Sequence, residues 1–189
     1  MEAHQSSVQH SIGFASIRER SPHGYFGGFL VVNTLARPME FHCTLPIVPT
    51  RAQQILFGMT LDEFLCGEQI ARALLTKSKI KPKVVFTDCP AALSVRHWVD
   101  MPVFLVQGDA DRFGIDQDGF RVPNASRADD EFNNLQLGDY QFQWLSKYAN
   151  DSRALEGLHD HGVFPLDLYE PFSRINEALS EANPRTKAA

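Results

Sequence analysis

The residues Tyr25-Phe26-Gly27-Gly28-Phe29-Leu30-Val31-Val32 form an apolar run with no polar interruption. A strand that alternates between polar and apolar residues has one face in solvent, whereas an unbroken apolar strand is covered on both faces. The turn signal Ser21-Pro22-His23-Gly24 precedes this run, and Asn33-Thr34-Leu35-Ala36 follows it as a hairpin connection. The sequence therefore predicts a central strand at 25–32.

The two neighbouring segments have different patterns. Residues 12–17 alternate between larger and smaller side chains, which predicts a short strand before the turn. After the hairpin, Pro38-Met39-Glu40-Phe41-His42-Cys43-Thr44 alternates cleanly and begins with proline. Because proline cannot donate a ladder hydrogen bond, this half-solvated strand is predicted at an edge of the sheet.

Helices and strands alternate in the next part of the chain. A capping box at Thr60 and Glu63 predicts the start of a long helix, whose apolar stripe comprises Leu61, Phe64, Leu65, Ile70, Ala71, Leu74 and Leu75. Strands are predicted at 83–87 and 102–106. The short helix between them has Asp88 as its candidate N-cap and Trp98 on its inner face. A closing helix is predicted over 167–182.

Residues 108–166 lack a regular pattern. The span 108–167 carries 12 acidic and five basic residues, so most of the net charge of −5 resides there. Its best helical stretch lies around Tyr140, Trp144, Leu145 and Tyr148. We interpret 108–166 as an acidic elaboration of a single domain that comprises all 189 residues, with 183–189 as a flexible tail.

Composition limits the class of protein. The charge pattern offers no basic stripe, so a nucleic-acid partner is not expected. The three cysteines are widely spaced and odd in number, which argues against a disulfide framework and favours three buried free thiols. No apolar leader or membrane span is found in the sequence, and we therefore expect a cytoplasmic protein without a membrane partner.

The order of predicted elements, βββαβαβ followed by a terminal helix, resembles the ribonuclease-H-like fold over residues 8–107 and 167–182. This resemblance implies an α/β protein with a five-stranded mixed sheet in the order 3-2-1-4-5. The first three strands would form an antiparallel meander, and the later strands would run parallel to the first. Profilin-like and other mixed α/β sandwiches stay open as alternatives.

A second resemblance rests on the residues themselves. The segments Gly27–Asn33, Arg37–Thr44 and Pro49–Gly58, followed by Gly67-Glu68, are similar to an uncharacterised family of bacterial proteins, mainly from planctomycetes. That family has no established activity, so the resemblance implies no chemistry. It marks the hairpin and the following helix as the diagnostic region.

One hypothesis for a catalytic site is a metal-dependent phosphodiesterase. Such chemistry needs carboxylates that converge at strand ends to hold hard cations. Asp88 at the end of the fourth strand and Glu68 on the long helix are the candidate catalytic residues, with Glu63 as an alternative to Glu68. The resemblance also implies an aspartate on the first strand, but Phe14-Ala15-Ser16 stands there.

Two further clusters are candidate metal sites. One comprises the acidic residues Asp109, Asp111, Asp116 and Asp118, which fail the EF-hand pattern because Phe113 and Phe120 occupy ligand positions. We favour a solvated acidic loop there. The other is His159-Asp160-His161, which lacks a third ligand. No cofactor is predicted, and a divalent metal is left open.

Without a complete catalytic set, the sequence favours a non-enzymatic binding or assembly module. Its partner is expected to be a second copy or another protein that pairs with the edge strand, with Glu40, Phe41 and His42 at the interface. Two alternatives stay open. One is the divalent-metal phosphodiesterase, and the other is a small-molecule-binding protein in which 108–166 forms a lid.

Overall fold

One mixed sheet organises residues 11–108, 120–125, 131–160 and 167–183, which are the part of the chain that this computed structural model describes. Its strands are β1 (Ile12–Arg20), β2 (Gly24–Val32), β3 (Pro38–Cys43), β4 (Val84–Thr87), β5 (Val103–Gln107), β6 (Phe120–Arg121), β7 (Phe132–Leu137) and β8 (Tyr140–Leu145). They lie in the order β3-β2-β1-β4-β5-β8-β7, and the short β6 pairs with β1.

The helices have three different geometries. The α-helices are α1 (Arg51–Phe57), α2 (Leu61–Glu63), α3 (Arg72–Lys77), α4 (Ser152–Asp160) and α5 (Glu170–Ala182). The 3₁₀-helices comprise Gly58–Thr60, Pro90–His97 and Ser146–Asp151. A π-helix, Phe64–Ala71, joins α2 to α3. None of the helices in the described ranges is long and apolar enough to cross a membrane.

The predicted strand order 3-2-1-4-5 is confirmed. β1 pairs antiparallel with β2, from Ile12 opposite Val32 to Arg20 opposite Gly24. β4 runs parallel to β1, and β5 runs parallel to β4. β2 is buried along its whole length, as its unbroken apolar sequence requires, and β3 lies at the edge. The topology is compatible with the ribonuclease-H-like fold.

The segment 108–166 contributes strands that extend the sheet beyond β5. β8 pairs antiparallel with β5, and β7 pairs antiparallel with β8. The predicted helix around Tyr140, Trp144 and Leu145 is therefore wrong. Tyr140–Leu145 alternates instead, because Phe142 and Trp144 are buried while the intervening glutamines are more exposed, and this period of two is typical of a strand.

Each face of the sheet carries its own apolar layer. On one face, aromatic side chains from the strands pack against α5, as in the edge-to-face contact of Phe14 with Phe172 at 5.2 Å between ring centroids. On the other face, Ala15 and Val85 belong to a second layer with Leu65 and Ile70 of the π-helix. The two layers separate the α5 side of the sheet from the π-helix side.

The predicted long helix changes geometry along its length. The apolar stripe has a five-residue interval between Leu65 and Ile70, and both of these residues are buried. An α-helix repeats every 3.6 residues, whereas a π-helix closes i→i+5 hydrogen bonds. The π-helix at Phe64–Ala71 therefore lets both ends of the stripe face the sheet.

Candidate functional site

The edge strand β3 has a free side. It pairs with β2 from Gly28 opposite Cys43 to Val32 opposite Pro38, and no strand within the described ranges pairs with its outer side. The Thr44 N–H donates to the Gly27 carbonyl at 2.9 Å. Along an antiparallel strand, the backbone N–H and C=O groups of successive residues point alternately toward and away from the paired strand. Since Thr44 bonds to β2, the backbone groups of Phe41 and Cys43 point away from it. These groups are available to another strand.

Glu40 and His42, two of the predicted interface residues, are anchored within the chain. The Glu40 carboxylate accepts hydrogen bonds from the backbone N–H groups of Lys79 and Ile80, from the Ser78 hydroxyl at 2.8 Å, and from His42 Nε2 at 2.6 Å. Partial burial acts in the opposite direction, but these bonds lower the pKa of Glu40 from 4.5 to about 2. Phe41, the third predicted residue, is 40% exposed.

Residues 44–60 follow β3 and form a segment that we call the apolar arm. It begins as a continuation of the edge, because Ile47 exchanges backbone hydrogen bonds of 2.8 and 2.7 Å with Tyr25. α1 then starts at a capping box, in which the Thr50 side chain accepts from the Gln53 N–H and the Gln53 side chain accepts from the Thr50 N–H. None of the residues in α1 is buried. This helix contributes nothing to the core of the chain.

Large apolar side chains are exposed along the arm. Their exposed fractions range from 62 to 84%, and they are Leu45, Val48, Ile55, Leu56 and Met59. Sequence reasoning missed this surface, although Ile55-Leu56 stands next to the apolar Phe57 and near Met59 in a helix of only seven residues. So many apolar residues on so short a helix cannot all face one core.

Asp88 lies in a buried ion pair, so its predicted role as a helix cap is wrong. The N-cap of the following 3₁₀-helix is Cys89, and no side chain caps it. The Arg18 guanidinium donates from Nη1 to Asp88 Oδ1 at 3.1 Å and from Nη2 to Oδ2. The Ser16 hydroxyl donates to the same Oδ2 at 3.1 Å and lies 3.2 Å from Asn176 Oδ1 of α5.

The two candidate catalytic carboxylates are not brought together. Asp88 faces Arg18 and Ser16 on the α5 side of the sheet, whereas Glu68 belongs to the π-helix that covers the other side. Glu68 lines a cavity with Glu63, the alternative candidate. Across the part of the chain that the structure describes, no three His, Cys, Asp or Glu side chains are arranged to hold a metal ion.

The other candidate metal ligands are only partly within the described ranges. Asp109, Asp111, Asp116 and Asp118 all lie outside them, and so does His161. His159 and Asp160 are described and exposed, with His159 Nδ1 3.8 Å from an Asp160 carboxylate oxygen. The predicted acidic and histidine sites therefore stay predictions.

The cysteines are free, but they are not all buried as expected. Cys43 is exposed on β3, while Cys66 and Cys89 are buried. Burial first, and then the neighbouring Cys89 thiol, raises the pKa of the Cys66 thiol. A buried thiol that stays protonated is a poor nucleophile and a poor metal ligand. This environment disfavours a reactive or metal-binding role for the Cys66 thiol.

Comparison with known proteins assigns no relative to this chain. No family model matches it, and no curated protein matches it significantly.

Proposed function

We propose that this protein is a non-enzymatic assembly module that pairs with a second copy of itself through β3 and the apolar arm. The observation that carries the proposal is α1, a capped helix with no buried residue. Its side chains Ile55 and Leu56 are 63 and 83% exposed. A helix this short is marginal in water by itself, because most helical stability comes from packing of an apolar face.

Two kinds of unsatisfied surface lie side by side here. The outer side of β3 presents unpaired backbone groups, which are a template for another strand. The arm presents five large apolar side chains that are mostly exposed, and exposed apolar surface can mark an interaction site. A symmetric dimer that adds strand to strand would cover both surfaces at once. A second copy supplies the same pair of surfaces and is therefore the simplest partner.

The extent of the surface fits a stable dimer. Residues 38–60 comprise β3 and the arm, and the 23 positions compare with roughly 20–30 residues per side in a standard interface. Full burial of each Leu or Ile side chain would contribute about 1.5–3 kcal/mol. The exposed arm residues therefore offer enough apolar area to drive association against its entropic cost.

Backbone geometry suggests a register for the pairing. Within β3, the outward-facing backbone groups belong to the odd-numbered residues, Phe41 and Cys43 among them. An antiparallel two-fold pairing centred on Phe41 gives the longest overlap of such groups, with Phe41 opposite its own symmetry mate. Hydrogen-bonded pairs of this type have Cα atoms about 5.5 Å apart, a distance that a disulfide can span.

Light scattering after gel filtration tests the dimer. We expect the mass of two chains for the native protein and of one chain for Leu56→Glu, because a charge in the interface would be desolvated. Gln136→Glu introduces the same charge on β7, the opposite edge of the sheet, and should leave the dimer intact. A native monomer, or a Leu56→Glu dimer of native affinity, would contradict the proposal.

Cross-linking tests the register. Phe41→Cys in a Cys43→Ser background should form an intermolecular disulfide on mild oxidation, whereas Cys43→Ser alone should not. A Gln136→Cys variant in the same background is the control for random collision. If light scattering shows a dimer but position 41 never cross-links, the register is refuted. Only the part of the proposal that concerns the apolar arm would then stand.

Three finer expectations belong to the same proposal. We infer that the module acts in the cytoplasm, that it has no nucleic-acid partner, and that it belongs with the uncharacterised bacterial family that its hairpin region resembles. The net charge of −5 supports the absence of a nucleic-acid partner.

A further inference from the structure

A cavity lies beside the π-helix, away from the edge of β3. Its volume is about 320 Å³, which is in the range of small-molecule sites. Its lining includes the aromatic residues Phe57, Phe64 and Trp98 and the acidic residues Glu63 and Glu68. His97 and Lys147 line it as well, so the cavity combines aromatic side chains with charged groups.

The π-helix is what directs both carboxylates to the cavity. In an α-helix of 3.6 residues per turn, side chains five positions apart diverge by about 140° around the axis. The wider i→i+5 turn of Phe64–Ala71 brings Glu63 and Glu68 closer to one face. π-Helical turns are rare and are found frequently at functional sites. Here the π-helical turn allows both Glu63 and Glu68 to line the same cavity.

Close packing holds the π-helix in place. A Cβ atom at Gly67 would lie 1.8 Å from Ser94 Oγ, so only glycine permits this approach of the two helices. The Ser94 hydroxyl oxygen lies 3.2 Å from the Glu63 carbonyl oxygen and 3.1 Å from the Ala91 carbonyl oxygen, within hydrogen-bond distance of both. The π-helix and the Pro90–His97 helix are therefore fixed relative to each other, and the cavity between them is preformed.

The aromatic lining of the cavity is suited to a cation. Phe57 and Phe64 stack with 4.0 Å between their ring centroids. Trp98 is 48% exposed, although sequence reasoning placed it inside, and the Arg72 guanidinium already lies 4.4 Å from its ring centroid. Tryptophan is the best aromatic partner for a cation, and aromatic cages are a known device for binding ammonium groups.

The charged groups of the cavity differ in their partners. His97 Nδ1 lies 2.9 Å from the Tyr148 hydroxyl, and Lys147 Nζ lies 5.6 Å from the Tyr148 ring centroid. Glu68 is half-buried, and no hydrogen bond or ion pair joins it to any residue of the described ranges. The carboxylate of Glu68 is therefore the group that a ligand would satisfy.

We propose that this cavity binds a small organic cation, namely a protonated amine attached to an aromatic or aliphatic body. The ammonium group is held by Glu68, and the body lies against the aromatic side chains of Phe57, Phe64 and Trp98. This site shares Phe57 with the apolar arm, and it assigns a ligand class to the half-buried carboxylate of the π-helix.

Calorimetry on the full chain tests the charge preference with three probes of similar size. They are 2-phenylethylamine, which is cationic at neutral pH, 2-phenylethanol, which is neutral, and phenylacetate, which is anionic. We expect the amine to bind about tenfold more tightly than the alcohol, which is the effect of one charge-assisted hydrogen bond, and phenylacetate to bind least. Equal affinities, a preference for the anion, or no binding of the amine at millimolar concentration would overturn the proposal.

Variants assign the preference to Glu68. Glu68→Gln should weaken amine binding about tenfold and leave alcohol binding unchanged, because it removes the charge and keeps the shape. Glu177→Gln, an exposed position of α5, is the matched control and should change neither. An unaltered amine affinity in Glu68→Gln, or an equal loss for amine and alcohol, would refute the role of Glu68.

Discussion

The Arg18–Asp88 ion pair allows a quantitative test of how the centre of the sheet is stabilised. Arg18 is 1% exposed and Asp88 is 4% exposed, so solvent screens neither charge. Removing one partner of a buried pair leaves an uncompensated buried charge and typically costs about 3–5 kcal/mol. We expect Asp88→Asn to lower the free energy of unfolding by this amount. The loss is a large fraction of the about 5–15 kcal/mol that stabilises an ordinary domain.

A double-mutant cycle separates the pair from its parts. Arg18→Met alone leaves the Asp88 carboxylate buried with the Ser16 hydroxyl as its remaining side-chain donor among the described residues. In the double variant Arg18→Met/Asp88→Asn, neither charge is present, so its loss of stability should be smaller than the sum of the two single losses. A coupling free energy of about 2–3 kcal/mol is expected for groups in such direct contact.

Urea denaturation followed by circular dichroism measures each free energy of unfolding, and an unchanged m-value validates the comparison. Glu170→Gln is the control, because the exposed Arg174–Glu170 pair has side chains that are 32 and 49% accessible and should contribute no more than about 1 kcal/mol. Single variants that lose less than about 1 kcal/mol, or a cycle that is additive, would refute the argument that the buried charges depend on each other.

Two further predictions concern Glu40 and Gly67. The folded-state pKa of Glu40 lies below its unfolded value of 4.5, so its contribution to stability is present above pH 4.5 and is lost as the pH falls toward about 2. Glu40→Gln should therefore flatten the acid dependence of the free energy of unfolding between those values, and an unchanged acid dependence would contradict it. Gly67→Ala should cost about 1–3 kcal/mol by overpacking against Ser94, and a loss under about 0.5 kcal/mol would show that the helices separate easily. Gly157→Ala in α4, where a Cβ meets nothing within 4 Å, is its control and should be neutral or stabilising by about 0.5–1 kcal/mol in thermal denaturation.

The first five strands could be predicted because each has a local cause in the sequence. β2 is apolar at every position, and β3 alternates and begins with Pro38, so burial and edge position follow from composition. β8 was missed for a physical reason. Its aromatic residues Tyr140, Phe142 and Trp144 have a period of two, but Leu145 and Tyr148 add spacings of three and four that suggest a helix. The strand is favoured over the helix because it pairs with β5, and such pairing joins residues that are far apart in the sequence.

The side-chain environments were less predictable than the strands. Asp88 has the local signature of a helix cap, with Pro90 just inside the helix, yet its partner Arg18 is 70 positions away. No local pattern indicates such a pair. The π-helix did leave a signal in the five-residue interval between Leu65 and Ile70, which a strict α-helical period does not explain.

The hypothesis of a metal-dependent hydrolase requires that the Asp88 carboxylate can bind a divalent cation. Both of its oxygens accept hydrogen bonds from Arg18, and Ser16 donates to one of them as well. A divalent cation could bind only if the guanidinium moved away, and Arg18 would then be a buried cation without its partner, at a cost of about several kcal/mol. The chain therefore supplies at Asp88 the positive charge that a metal would otherwise provide. The outer side of β3 and the carboxylate of Glu68 have no such internal partner in the described ranges, and these are the two places at which we propose binding.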